Sequence, residues 1–282
     1  MGSGTETPVA GTVESCEAWD HLRYLSNSFQ RVRLLDRLSD SPTDLRGLKD
    51  DLDAPRTTLQ RNLTQLERRG WIERTSSGYA TTPVGQLLVT EIGRMIEATR
   101  TIETLSPFLE AVDDPQTLDV NRLADPVVTV PEPNRPHAPM KRLFEMVRTG
   151  TDGRGMFPVI SGELLRHYRR SDGCSPATSE IVLPTETIDS LREGTLPEGV
   201  DLLEGDEIHL LKYDDELPYG LVIAGDGVAL LAYDEVGRIQ ALVESNGHET
   251  IEWAEQVYDW YRNQAKPVGV AADRRSDRQT DE

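Results

Sequence analysis

Cysteine, lysine and long apolar runs are what this chain has least of, and each scarcity excludes something. Its 282 residues hold two cysteines, Cys16 and Cys174, too few for a disulfide framework, so both read as reduced thiols. Cys174, in the loop 171–176, is the one place for a redox sensor, which would require a lowered thiol pKa. No stretch approaches the roughly 20 apolar residues needed to cross a bilayer, and residues 1–13 lack an apolar signal core, which predicts a cytoplasmic protein with no membrane partner. There is no Gly-x-x-x-x-Gly-Lys phosphate loop. Gly153-Arg154-Gly155 runs on into Met156-Phe157-Pro158 instead of completing a dinucleotide pattern, and the histidines and cysteines have no metal-ligand spacing. The chain is therefore expected to use no cofactor and no metal, and to have no catalytic residues.

Carboxylates are abundant. With 49 acidic against 30 basic residues the formal net charge is -19, which taken alone argues against nucleic acid as a partner. Locally the distribution of charge points the other way. Residues 17–82 carry 11 Arg or Lys against 10 Asp or Glu, and residues 54–82 carry five Arg against two Glu, so one stretch is basic on an acidic body. Only four of the basic residues are lysine: Lys49, Lys141, Lys212 and Lys266. An acid-rich, lysine-poor composition resembles that of proteins from salt-loving archaea, in which screening lengths of roughly 3 Å near 1 M salt relieve self-repulsion.

The basic stretch is also the best organised. Leu59, Leu63 and Leu66 recur at helical spacing and predict a stripe that docks on preceding helices. The opposite face presents Arg56, Thr57, Gln60, Arg61 and Thr64, whose guanidinium, amide and hydroxyl groups match the hydrogen-bonding edges of bases in a major groove. Pro55 suits the first helical turn and Gly70 closes the helix. Residues 71–74 and 79–82 then predict two short strands around the turn 75–78. Upstream, Leu22, Leu25, Val32, Leu34, Leu35 and Leu38 place two helices on one core, and Ser41-Pro42-Thr43-Asp44 breaks and caps before a helix holding Leu45, Leu48 and Leu52.

That order resembles the winged helix-turn-helix of ArsR-type and TrmB-type regulators, carried by Thr57-Thr58-Leu59-Gln60-Arg61-Asn62-Leu63 and Leu66-Glu67-Arg68-Arg69-Gly70-Trp71-Ile72. The resemblance implies double-stranded DNA as partner. Arg56, Thr57, Gln60 and Arg61 would read bases, while Thr64, Arg68, Arg74, Thr75, Ser76 and Ser77 would hold phosphates. Tyr79 is expected to pack the wing. From Thr82-Pro83 a long helix follows. Its residues Leu88, Ile92, Met95, Thr99, Ile102, Ser106 and Leu109 alternate three-and-four spacing and predict a dimer seam; the alternative is a helix packed on its own domain, since Gly93 and Pro107 weaken a coiled coil.

Beyond two proline-punctuated linkers the pattern alternates: helix 140–148, strand 156–160, helix 161–170, strand 180–183 and helix 185–193, predicting a largely parallel sheet. Pro158 predicts that its strand is at an edge or bulged. Strands 208–213, 219–224, 228–233 and 239–244 follow, with a tight turn at Asp226-Gly227, then a helix 249–263 that buries Ile251, Ala254, Val257, Tyr258 and one of Trp253 and Trp260. This half resembles the middle, or effector, domain of archaeal methanogenesis and filamentation regulators. The residues that carry the likeness are Phe157-Pro158-Val159-Ile160-Ser161, Glu180-Ile181-Val182-Leu183, Leu217-Pro218-Tyr219-Gly220-Leu221 and the aromatic-rich 251–262. The resemblance implies a phospholipase D-related fold that senses a ligand. Catalysis there needs His-x-Lys, which none of the five histidines provides; His209 has Lys212 three positions on, an odd spacing that points the two to opposite strand faces. A small-molecule effector is expected beyond the carboxyl ends of the strands, near Ser161, Thr185, Tyr213 and Arg142.

The fold class is thus read as α+β and α/β. Residues 1–15 form a disordered start, 16–82 a winged helix-turn-helix, 83–118 a linker and dimerisation helix, 119–265 an α/β effector domain of non-catalytic phospholipase D-like fold, and 266–282 a disordered tail. The function is read as a homodimeric, sequence-specific transcription regulator that senses a ligand and is not an enzyme. The alternatives are a protein-docking winged helix and a phosphodiesterase-like enzyme tethered to DNA.

Overall fold

The computed structural model describes residues 17–112, 114–149, 153–160, 179–193 and 208–268. The expected disorder over 1–15, the helix 161–170, Ser161 and Cys174 lie outside the described residues. The chain packs as two compact units that divide between Glu97 and Ala98.

In the first unit, α1 (Glu17–Ser26), α2 (Phe29–Asp40), α3 (Leu45–Leu52) and α4 (Arg56–Arg68) are followed by the antiparallel hairpin β1 (Ile72–Thr75) and β2 (Gly78–Thr81), then by the start of α5 (Pro83–Leu109). Asp44 caps α3 by accepting from the Gly47 amide at 2.8 Å. Pro55 is not inside α4 but just before it, at the N-cap, where its carbonyl accepts from Thr58 and Leu59. At the other end Gly70 takes φ +68°, which an L side chain rarely adopts, and the Trp71 and Gly70 amides close on the Leu66 and Glu67 carbonyls. Leu59, Leu63, Leu66, Trp71 and Ile72 share one core with Leu34, Leu35, Leu38, Leu48 and Leu52. Leu25 is buried there too, but Leu22 is on the surface, because α1 turns His21 and Tyr24 to the Trp71 ring instead.

The second unit is built on one eight-stranded sheet in the order β10-β6-β5-β4-β7-β8-β9-β3. Its strands are β3 (Val127–Thr129), β4 (Gly153–Met156), β5 (Ser179–Pro184), β6 (Ile208–Tyr213), β7 (Gly220–Ala224), β8 (Gly227–Tyr233), β9 (Ile239–Asn246) and β10 (Lys266–Pro267). The expected largely parallel sheet is corrected to a mixed one. Only β4, β5 and β6 run parallel, because the short connections from β7 to β8 and from β8 to β9 can join antiparallel strands alone. Pro158 does not mark an edge either: β4 stops at Met156, before the proline, and is paired on both sides. The β7–β8 turn is Gly225-Asp226, one residue earlier than expected. Lys266 and Pro267, placed in the disordered tail by sequence, instead pair with Lys212 and Leu211 at the sheet edge.

Side chains alternate across this sheet. Val182, Leu211, Leu221, Leu230 and Val243 face α8 (His248–Arg262) and the end of α5; Leu183, Leu210, Val222, Leu231 and Leu242 face α6 (Ala138–Thr149) and α7 (Thr185–Arg192). Covered on both sides, β7 and β8 read as unbroken apolar runs. On α8 it is Trp253 that is buried, whereas Trp260 is exposed.

Candidate nucleic-acid interface and ligand cleft

α4 separates its residues cleanly. Leu59, Asn62, Leu63 and Leu66 are buried, while Arg56, Thr57, Gln60, Arg61, Thr64 and Arg68 are all exposed. Arg56, Arg61 and Arg68 form no ion pair among the described residues, and the first turn of the helix, where the dipole is positive, holds Arg56 and no acidic residue. Thr64 donates its hydroxyl to the Gln60 carbonyl at 2.9 Å, which ties it to its own helix. In the hairpin, Ser76 and Ser77 form the tip and Thr75 accepts from the Ser77 amide at 3.3 Å. Arg74 is more committed. Its Nε donates to Glu67 at 3.1 Å and its guanidinium is 5.4 Å from the Tyr79 ring centre, so it fixes the hairpin to α4 while remaining exposed. Tyr79 is half-buried and trades two backbone hydrogen bonds with Thr43, a third strand-like contact that nothing in the sequence announced beyond the position of Thr43 before the Asp44 cap. Two further arginines of this basic stretch serve packing: Arg31 and Arg69 lie 4.0 and 3.8 Å from the Tyr24 ring centre.

Of the four residues expected at an effector site, the three described ones do not all converge. Ser161 lies outside the described residues. Arg142 is taken up by a two-pronged pair with Glu244, Nε and Nη2 donating at 2.9 and 2.8 Å, which fastens α6 to β9. Thr185 and Tyr213 do meet: the threonine hydroxyl donates to the Tyr213 carbonyl at 3.1 Å, and the Tyr213 ring stands edge-on to Tyr261. Burial, then the Asp215 charge, raises the Tyr213 phenol.

A polar row crosses the sheet beneath α8. Arg154, Glu180 and His209 are register neighbours on β4, β5 and β6. Glu180 accepts from Tyr258 at 2.9 Å and from Arg262 at 2.5 Å, and Arg154 pairs with Glu255 at 2.6 Å. Burial opposes the Glu180 charge, but the Arg262 and Tyr258 bonds and the charges of Arg262 and His209 outweigh it and hold the carboxyl below its usual range. Lys212 leans instead to Asp214 at 3.8 Å, so His209 and Lys212 are not brought together. Among the described residues no cluster of three His, Cys, Asp or Glu is placed to hold a metal ion.

A cleft lies elsewhere, at the carboxyl end of β4, where a cavity of about 650 Å³ opens between the stretch after β4, Leu217-Pro218 before β7, and the β8–β9 turn. Of the expected residues, Arg142, Thr185 and Tyr213 do not line it. Matches to known families coincide with the two halves just described. Residues 136–264 match the model of the methanogenesis regulatory protein FilR1, middle domain, and residues 19–104 match that of the HVO_A0261 N-terminal domain.

Residues 136–264 are similar to the FilR1 middle domain.

Similar solved structures include TrmBL2, an archaeal chromatin protein, at 14% identity and TM-score 0.35 over 88% of this chain and 99% of that one. NucT from Helicobacter pylori, at 11% identity and TM-score 0.41, covers 51% of this chain and 99% of its own. Nuc from Salmonella typhimurium, a phospholipase D family member, is 12% identical at TM-score 0.39 over the same shares. These likenesses are loose and carry no functional argument. No curated protein matches significantly. The cleft residues that sequence reasoning missed had weak signals. Leu217-Pro218 stood in a motif that carried the family likeness, and Val236, an apolar side chain 72% exposed in a turn closed by Gly237, was the anomaly to follow.

Proposed function

We propose that the chain is a DNA-binding transcription regulator whose first unit is a winged helix-turn-helix and whose FilR1-type middle domain senses a small molecule. One observation carries the DNA reading: Arg56, Thr57, Gln60, Arg61, Thr64 and Arg68 are exposed together on the face of α4 opposite its buried stripe. Arg56, Thr57, Gln60 and Arg61 read base edges; Thr64, Arg68 and the tip residues Thr75, Ser76 and Ser77 hold phosphates, with Arg74 sharing its charge with Glu67. The match to a domain of a regulatory protein supports the same reading, and a lysine-poor, acid-rich surface suits work at high salt. Two copies associate through the exposed middle of α5, giving two reading helices for a two-fold symmetric site.

Immunoprecipitation of a tagged copy from its own cells, with sequencing of the bound DNA, tests this. Discrete sites upstream of genes are the expected result. A uniform background with the protein present would make the winged helix a protein-docking module instead.

A further inference from the structure

The cleft at the carboxyl end of β4 has a one-sided chemistry. Pro158, Val159, Leu217, Pro218 and Val236 give it apolar walls, and none of its lining residues among those described is Arg or Lys. What polar chemistry it has is mostly that of acceptors. Asp234 is fixed in place: one carboxylate oxygen accepts from the Val236 and Arg238 amides at 3.1 and 2.8 Å, the other from the Gln240 side-chain amide at 3.0 Å. Those bonds orient the carboxylate without cancelling its charge. The Gln240 side chain is thereby turned so that its oxygen remains as an acceptor with no partner among the described residues. Glu235 is exposed beside it and forms no ion pair among the described residues. Gly237, at φ +77°, brings the turn so close to Val159 that an added Cβ would lie 2.7 Å from its Cγ1, so this wall has a defined shape.

A volume of about 650 Å³ is in the range of small-molecule sites, and apolar walls with a few placed polar groups are their usual make-up. Here every charge among the described lining residues is negative, on a chain whose own net charge is -19. A carboxylate or phosphate ligand would meet repulsion with nothing among the described lining residues to offset it. We infer that this cleft binds a small organic cation, a primary ammonium or guanidinium group on an apolar body, with Glu235, Asp234 and Gln240 taking the charged end and Val159, Pro218 and Val236 the body. The inference rests on the sensing role proposed above and gives it a site and a ligand class.

Calorimetric titration of the full chain at fixed salt with 2-phenylethylamine, 2-phenylethanol and 3-phenylpropionate tests the site. The amine is expected to bind saturably, one per chain, and at least about tenfold more tightly than the acid, since one ligand charge is attracted where the other is repelled. Glu235→Gln is expected to weaken the amine by roughly three- to tenfold while leaving the alcohol unchanged, as loss of one partly exposed charge pair would. Val236→Trp, a change at an exposed position, is expected to weaken all binders by blocking the mouth, with an unchanged melting temperature as the folding control. Equal binding of amine and acid, no saturable amine binding, or amine binding untouched by both variants would overturn the assignment. A duplex-binding assay with and without saturating amine separates the two ideas. Amine that binds the cleft but leaves DNA affinity unchanged removes the sensing role and keeps the site, whereas DNA affinity that responds to an anionic compound with no binding in the cleft keeps sensing and removes the site.

Discussion

At the scale of single residues, the proposed DNA binding turns on which cations are engaged and which are available. Arg31 and Arg69 are engaged with Tyr24, Arg142 with Glu244 and Arg262 with Glu180, while Arg56, Arg61 and Arg68 are exposed without ion pairs among the described residues. Replacing Arg61 by Ala is expected to cost about 1–3 kcal/mol on a preferred duplex and much less on a random one, if it grips a base edge. Competition mobility shifts at one salt concentration read the difference; equal weakening on both duplexes would move Arg61 to the phosphates. Glu180 supplies a pH test. Its folded pKa is depressed, so its stabilising contribution is full above the unfolded value and is lost as pH falls through the folded one. Glu180→Gln should therefore lower stability to urea by roughly 1–3 kcal/mol near neutrality, with the deficit shrinking between about pH 5 and pH 3. A deficit constant across that range would show that packing, not charge, holds the row together. Composition revealed none of this, because the partners of Glu180, Tyr258 and Arg262, are some 80 residues away along the chain and meet it only through the sheet. The α4 face, by contrast, was legible: spacing alone separates Leu59, Leu63 and Leu66 from the polar side.

At the scale of elements, local signals served well where geometry is local. The Asp44 cap, the Gly70 stop and the Ser76-Ser77 turn depend on neighbours within a few residues, and each is found where the sequence placed it. Strand direction is not a local property: the alternation of helices and strands over 140–193 predicts a largely parallel sheet, but the hairpin-connected β7, β8 and β9 make it a mixed one. The seam expected on α5 is open only in its middle. Ile92 is buried in the first core and Leu109 packs against the second, so only Met95, Thr99 and Ile102 of that row are exposed. Periodicity identifies a buried face without saying what buries it. If two copies join through this middle section, Ile102→Glu should convert a dimer to a monomer in light scattering; an unchanged mass would place the interface elsewhere. A second element-level test concerns the connection after α5. Thr250 is fully buried, donates to the Arg122 carbonyl at 2.7 Å and accepts from the Ala124 amide at 3.2 Å. Thr250→Val keeps the shape but strands both groups, so a loss of roughly 1–3 kcal/mol is expected in chemical unfolding, against nearly none if the hydroxyl is dispensable.

At the scale of the whole molecule, an anionic chain that binds a polyanion must confine contact to one basic face and rely on groups whose value survives salt. Phosphate contacts gain mainly through counterion release, which fades as salt rises, while base-edge hydrogen bonds do not share that dependence. Replacing Arg68 by Ala should thus weaken all duplexes alike and reduce the salt slope by about one unit, whereas Arg61→Ala should relax selectivity. Sequence-specific reading by α4 is tested most directly by selecting bound duplexes from a random-sequence pool with the full chain. The selection should be run beside a variant in which Arg56, Thr57, Gln60 and Arg61 are all alanine. The natural chain is expected to enrich a defined, two-fold symmetric motif, and the variant, equally well folded, to enrich none. A pool that stays random with the natural chain, or the same motif recovered by the variant, would contradict this reading.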